Sequence, residues 1–221
     1  RFVSNGHLQI LADAGADTPT TLGYNLAEGW DWARWPGATN KRLSLEEIYS
    51  PTETWQTRWL SDETFVGGAA IGDSGVFAVK LHDTCHDPSF RAVKSYFVFG
   101  NAIVCLGSGI DCADAEHAVE TTLFQAYLPT PERPVQVNGE TVTELPFEQA
   151  LDGGASAALL DPYGNGYVLS AGHTANLARQ HQQSRTHNNQ GPTEGDYALA
   201  WIDHGSAPKD AGYEYAVLPQ T

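Results

Sequence analysis

Short apolar–polar alternations, each cut off by a turn signal, restrict this chain to β architecture. Val135-Gln136-Val137, Asn138-Gly139 and Glu140-Thr141-Val142 make the clearest case. The Asn-Gly pair supplies the positive φ angles that a tight mirror-type turn needs between two strands. Residues 95–99 and 102–106 predict a second hairpin about Gly100-Asn101, and residues 161–169 a further strand–turn–strand. Residues 76–81, 197–202 and 213–218 read as single strands. Helix signals are weak: Ser44 and Glu47 can cap one turn, and a second turn fits near residues 114–117. The polar, turn-rich stretch 179–195 reads as a long exposed loop. The expected fold is all-β, a large antiparallel β-sandwich of two or more sheets packed face to face.

Length and charge narrow the function classes. The 221 residues suffice for one large sandwich with a real core. A net charge of -15, from 27 acids against 12 Lys and Arg, argues against nucleic acid and anionic membranes as partners. There is no long apolar run to span a bilayer. The 3 Cys have no zinc spacing; a Cys105–Cys112 bridge is conceivable, buried free thiols are the ordinary alternative. No signal peptide is recognisable and no Met occurs, which reads as a processed chain or a piece of a longer one.

One segment stands apart from this framework: Gly23-Tyr24-Asn25-Leu26-Ala27-Glu28-Gly29-Trp30-Asp31-Trp32-Ala33-Arg34-Trp35-Pro36-Gly37-Ala38-Thr39. Flat rings can stack on pyranose faces, while amide, acid and guanidinium groups hold hydroxyls and carboxylates. The plain alternative is a Trp-rich loop that plugs one end of a sandwich. Trp30, Trp32 and Trp35 are therefore candidates for substrate stacking, and Arg34 for contact with a sulfate or carboxylate. Arg34, Lys41, Arg42 and Arg58 could make a cleft locally basic; for the last three an ordinary surface role is the favoured reading. Asp31 reads as a loop-ordering acceptor.

This segment resembles the start of the central β-sandwich of the chondroitin and hyaluronan polysaccharide lyases, most of all the broad-specificity ABC type. Three further stretches match in order: Lys94-Ser95-Tyr96-Phe97-Val98-Phe99-Gly100-Asn101-Ala102-Ile103-Val104-Cys105-Leu106-Gly107-Ser108-Gly109-Ile110; Val119-Glu120-Thr121-Thr122-Leu123-Phe124-Gln125; and Ala200-Trp201-Ile202-Asp203-His204-Gly205 with Ala207-Pro208-Lys209-Asp210 and Tyr213-Glu214-Tyr215. The resemblance runs over most of the chain and implies a galactose-mutarotase-like supersandwich. It also implies an N-terminal helical toroid as partner within one enzyme, an acidic polysaccharide as substrate, and a secreted or periplasmic location.

The chemistry so implied is β-elimination on a uronic acid. A base takes the C5 proton, an acid protonates the leaving glycosidic oxygen, and nearby donors neutralise the charge building on the carboxylate. The His, Tyr and Arg of that chemistry belong to the family's helical domain and have no counterpart here. The sandwich contributes an acid and an amide to the catalytic wall, which map to Glu28 and Asn25. Glu28 is expected to hold an Arg of the helical domain by charge-assisted hydrogen bonds. Relatives of the AC type carry a Glu three positions before that Asn. Here Leu22 stands there, so the acid's place is taken by Glu28 or lost. The isolated chain is expected to be inactive.

Other constellations are weaker. His82 and His86 straddle Cys85, but Pro88 and the neighbouring strands argue for a loop rather than a zinc helix. His173 with Asp203 and His204 can be drawn as a triad, yet no nucleophile-elbow pattern accompanies them. No cofactor is called for; a calcium site could draw on Asp62, Glu63 and Asp73, though no loop signature supports it. The rival reading of the whole chain is a non-catalytic carbohydrate-binding or structural module.

Overall fold

The computed structural model describes residues 6–8, 10, 28–48, 61–84, 87–186 and 190–220. Two antiparallel sheets account for the strands among these residues, and no helix occurs among them. The smaller sheet runs β1 (Thr39–Lys41), β6 (Ala118–Tyr127), β13 (Pro192–Ser206), β12 (Ala175–Arg185), β9 (Phe147–Leu151). The larger runs β2 (Val66–Ile71), β3 (Ser74–His82), β4 (Arg91–Phe99), β5 (Ala102–Asp111), β14 (Ala211–Leu218), β11 (Gly166–Leu169), β10 (Ala157–Leu160), β7 (Val135–Val137), β8 (Glu140–Val142). The all-β sandwich expected from the alternation is what forms.

Period two decides which side chains meet between the sheets. On β13, Ala198, Ala200 and Ile202 face the main core, while Tyr197, Leu199 and Trp201 join a second cluster on the opposite face. Across the large sheet, Tyr96, Cys105, Tyr215, Leu169 and Ala157 form one inward row by register. The predicted hairpins close as expected: Asn138 and Gly139 take φ 50 and 84, and Gly100 takes φ 55. Cys105 and Cys112 are buried free thiols, so no bridge joins them; Cys85 lies outside the described residues.

Three local readings are corrected. Residues 179–185 and 192–195 are no exposed loop: they belong to β12 and β13 and pair out to Arg185↔Pro192. Their polarity misleads because Gln182 and Ser184 are buried under another segment's backbone. Ser44 and Glu47 do cap each other, yet a turn, not a helix, follows. Near residue 114 the Asp114 carboxylate accepts the N–H groups of Glu116 and His117, so a side chain orders that turn without helix.

Two buried basic side chains tie the layers together. Arg179 on β12 donates Nη1 to Val142 O at 2.6 Å and Nη2 to Pro131 O. Lys94 on β4 donates to Gly37 O and, at 3.0 Å, to Thr39 Oγ1. For Arg179, carbonyl oxygens thus stand where a counter-ion would. Nearer the surface, Lys41 Nζ bridges Asp87 (2.9 Å) and Asp114 (3.1 Å) and so anchors β1 to the β3–β4 and β5–β6 connections.

That bridge sets an acid limit. Burial works to raise the Asp87 carboxyl, but hydrogen bonds from Ser89 and Lys41 outweigh it and hold the group down to about 2. His117, the Glu116 N–H and Lys41 hold Asp114 well below the usual carboxylate range. Both are depressed carboxylates. Their stabilisation is whole above the unfolded value near 4 and is lost as pH falls through the folded values. Denaturation midpoints are therefore expected to fall steeply from about pH 4 to about pH 2. Lys41→Met should flatten that slope; an unchanged slope would mean that the bridge does not form.

Candidate functional site

Residues 28–38 form an irregular loop lying flat on the outer face of the small sheet. Asp31 organises it locally: its carboxylate accepts the Ala33 N–H at 3.0 Å, and its carbonyl accepts the Arg34 N–H at 3.1 Å. Pro36-Gly37, with Gly37 at φ 75, turns the chain into β1. Gly29 sits at φ 79, and a Cβ there would lie 2.4 Å from the backbone nitrogen of Gly195. A Cβ on Gly195 would meet Glu28 O at 2.6 Å. This glycine pair lets two backbones touch, which no other residue type permits.

Sheet side chains then fix the loop backbone group by group. Tyr197 Oη donates to Glu28 O at 2.6 Å, and Gly29 N donates to Thr193 Oγ1 at 3.1 Å. Gln182 Nε2 donates to Gly29 O at 3.2 Å, and Ser184 Oγ to Trp30 O. Gln125 accepts from Asp31 N at 2.8 Å and donates to Asp31 O at 3.1 Å and to Arg34 O at 2.7 Å. Burial holds the Tyr197 phenol well above its usual range, which keeps it a donor. At the head of this fixed stretch the Glu28 side chain is exposed. Asn25, the second wall residue expected from the resemblance, lies outside the described residues.

The three tryptophans do not face solvent. Trp30, Trp32 and Trp35 are 1%, 3% and 7% exposed, and pack with Tyr197, Leu199 and Trp201. Trp30 meets Trp35 and Tyr197 edge-on at 5.9 and 6.1 Å between centroids, and Trp32 lies 5.7 Å from Trp35. Trp32 Nε1 also donates to Arg185 O at 2.7 Å. Their faces are used within the chain, so this geometry makes them the mount of the loop rather than a sugar platform.

The basic residues near the loop are likewise engaged. Arg34 is buried, forks onto Glu120 through Nε (2.8 Å) and Nη2 (3.0 Å), and lies 3.8 Å over the Trp201 ring. No sulfate can reach it without breaking that pair. Arg42 pairs with Asp31 at 2.8 Å, and Lys41 with its two aspartates. Arg58 lies outside the described residues. A locally basic cleft is therefore not what Arg34, Lys41 and Arg42 supply.

The remaining candidates disperse. Asp62 pairs with His82, and Glu63 with Arg91 at 3.1 Å. Asp73 sits in the β2–β3 turn, the length of strand β2 away, on the order of 20 Å. Among the described residues no three His, Cys, Asp or Glu cluster as a metal would need. His82 Nε2 reaches Pro88 O, so it is built into its loop; Cys85 and His86 lie outside the described residues. His173 Nε2 accepts from Glu214 N, and His204 Nε2 meets Thr121 Oγ1, so neither serves a triad. Hollows border the loop among the described residues. One, of about 370 Å³, lies between Trp32, Lys41, Leu43 and the β2–β3 hairpin; a polar one, of about 240 Å³, lies between Asp31, Arg42 and the Gln180–His181 edge of β12.

Sequence reading missed Glu120, Gln125, Gln182, Ser184 and Tyr197. Glu120 and Gln125 stand within a quoted match, but their partners are far off in the chain. No spacing rule could have joined them to the loop.

The architecture defines the class. A chondroitinase AC lyase solved with oligosaccharides superposes with a TM-score of 0.71 and 28% identity, over 90% of this chain and 28% of that one. Paenibacillus xanthan lyase does so at 0.71 and 26%, over 91% and 20%. Residues 18–221 match polysaccharide lyase family 8, super-sandwich domain, and the chain belongs to that family. It is 38% identical to a chondroitin sulfate ABC exolyase of Proteus vulgaris, over 98% of this chain and 22% of the relative. With an endolyase of the same organism the identity is 36%, over 99% and 21%. The chain thus spans little more than a fifth of these relatives' length.

Proposed function

We propose that this chain forms the sandwich wall of a polysaccharide lyase that cuts chondroitin or dermatan sulfate, and by extension hyaluronan, by β-elimination at a uronic acid. The observation that carries the reading is the mounting of Glu28. An exposed acid heads a loop whose backbone is hydrogen-bonded from Glu28 to Arg34 by side chains of β6, β12 and β13. Such rigidity suits a group that must hold a catalytic partner in place.

The base that removes the C5 proton, and the acid that protonates the leaving oxygen, belong to an N-terminal helical toroid of the same enzyme. Glu28, with Asn25, holds an Arg of that toroid, which neutralises charge on the substrate carboxylate. Arg34, Lys41 and Arg42 are neutralised within the chain, so they are not the cations that face the polyanion. A polymer of this kind cannot cross a membrane, so the enzyme acts outside the cytoplasm, secreted or periplasmic. The names of the relatives, two chondroitin sulfate ABC lyases and a chondroitinase AC lyase, support the substrate class. Burial of all three loop tryptophans counts against the binding-module reading.

The test is the ultraviolet absorbance of the unsaturated uronate formed from chondroitin sulfate. This chain alone should give none, and the chain joined to its helical partner should give a steady rise. Turnover by the chain alone would sink the two-domain site. Binding without turnover in either form would favour a binding module.

A further inference from the structure

We propose that Gln125 and Gln182 are positioning residues for the lyase reaction, acting on Glu28 through the loop backbone; this rests on the role given to Glu28 above. Both are buried, at 5% and 6% exposure, and their amides are spent on the loop backbone and on each other. Gln125 uses its full amide capacity. Its Oε1 accepts from Asp31 N at 2.8 Å and from Gln182 Nε2 at 3.0 Å, while its Nε2 donates to Asp31 O and Arg34 O. Two donors and two acceptors on one side chain are what an amide offers and a carboxylate or hydrocarbon does not. Gln182 adds the bond to Gly29 O, next to Glu28.

The arrangement is more specific than loop anchoring needs. Apolar packing of the three tryptophans already holds the segment down. The amide pair adds register: it fixes the direction of the peptide groups at Gly29, Asp31 and Arg34, and hence where the Glu28 side chain leaves the backbone. Displacement of a catalytic constellation by about 1 Å can cost on the order of 100-fold in rate.

The test uses the whole enzyme that carries this domain. Gln125→Glu keeps both acceptor bonds but turns two carbonyls toward a carboxylate. Its kcat should fall about 30-fold with KM within about threefold. The ratio of variant to parent kcat should climb as pH is lowered, because a protonated carboxyl regains a donor. Gln182→Met, of similar volume, should lose about tenfold in kcat. Arg179→Met, on the same sheet but away from the loop, is the control: it should lower the melting temperature and leave kcat unchanged well below it.

A Gln125→Glu kcat within about twofold of the parent would overturn the positioning role. So would a loss matched by Arg179→Met at equal destabilisation, or a pH-independent ratio. Should Gln125→Glu fail to fold, an unchanged kcat in Gln182→Met overturns the role equally. Glu28→Gln separates the two layers. If it too leaves kcat intact, the reading of Glu28 has failed; if it alone lowers kcat, only the amide pair has.

Discussion

Glu120→Ala is expected to destabilise this domain by about 3–5 kcal/mol, because it strands a buried guanidinium. Arg34 and Glu120 have side chains only 8% and 11% exposed and share two hydrogen bonds. With the carboxylate gone, Arg34 keeps the Trp201 face beneath it but loses its bidentate anion and has little access to water. The loss should move the melting temperature by about 10 °C in a domain of this size. The double change Arg34→Met with Glu120→Leu should recover most of it, since an apolar pair of similar volume carries no desolvation cost. Denaturant titration of the three proteins decides the matter. A single-variant loss under about 1 kcal/mol would place the pair in water instead. The same variant should blunt activity too, because Arg34 lies in the loop that carries Glu28.

Glu28→Ala should do the opposite: little change in stability, large loss of turnover. The side chain is exposed, and the group the fold uses is the carbonyl that accepts from Tyr197, which Ala retains. In the full enzyme kcat is expected to fall about 100-fold, with KM changed by less than about threefold. That pattern marks an interaction made in the transition state. A weaker KM with unchanged turnover at saturation would instead assign Glu28 to ground-state binding, and the sandwich to a binding role. Melting curves of variant and parent should overlay; if they do not, the kcat loss is to be read per folded molecule.

How much was legible in the sequence follows from the range of the interactions. Hairpins such as Val135–Val137 with Glu140–Val142 were readable, since turn chemistry and alternation are local. The family was readable as well, because four ordered stretches span the chain. Residues 179–185 and 192–195 were misread because these strand ends are polar on both faces. Gln182 and Ser184 are buried by the backbone of a loop some 150 residues away, and hydropathy has no term for that partner.

The sequence by itself determined an all-β sandwich, the family, and which segment departs from the strand pattern, because period two, Asn-Gly turns and motif order are properties of neighbouring residues. Only the tertiary structure decided how that segment packs. It turned Trp30, Trp32 and Trp35 inward, closed Arg34 onto Glu120, and left Glu28 outside. Burial and pairing are settled by which distant strands meet. An aromatic or a cation looks the same in a sequence whether it faces a sugar or a sheet.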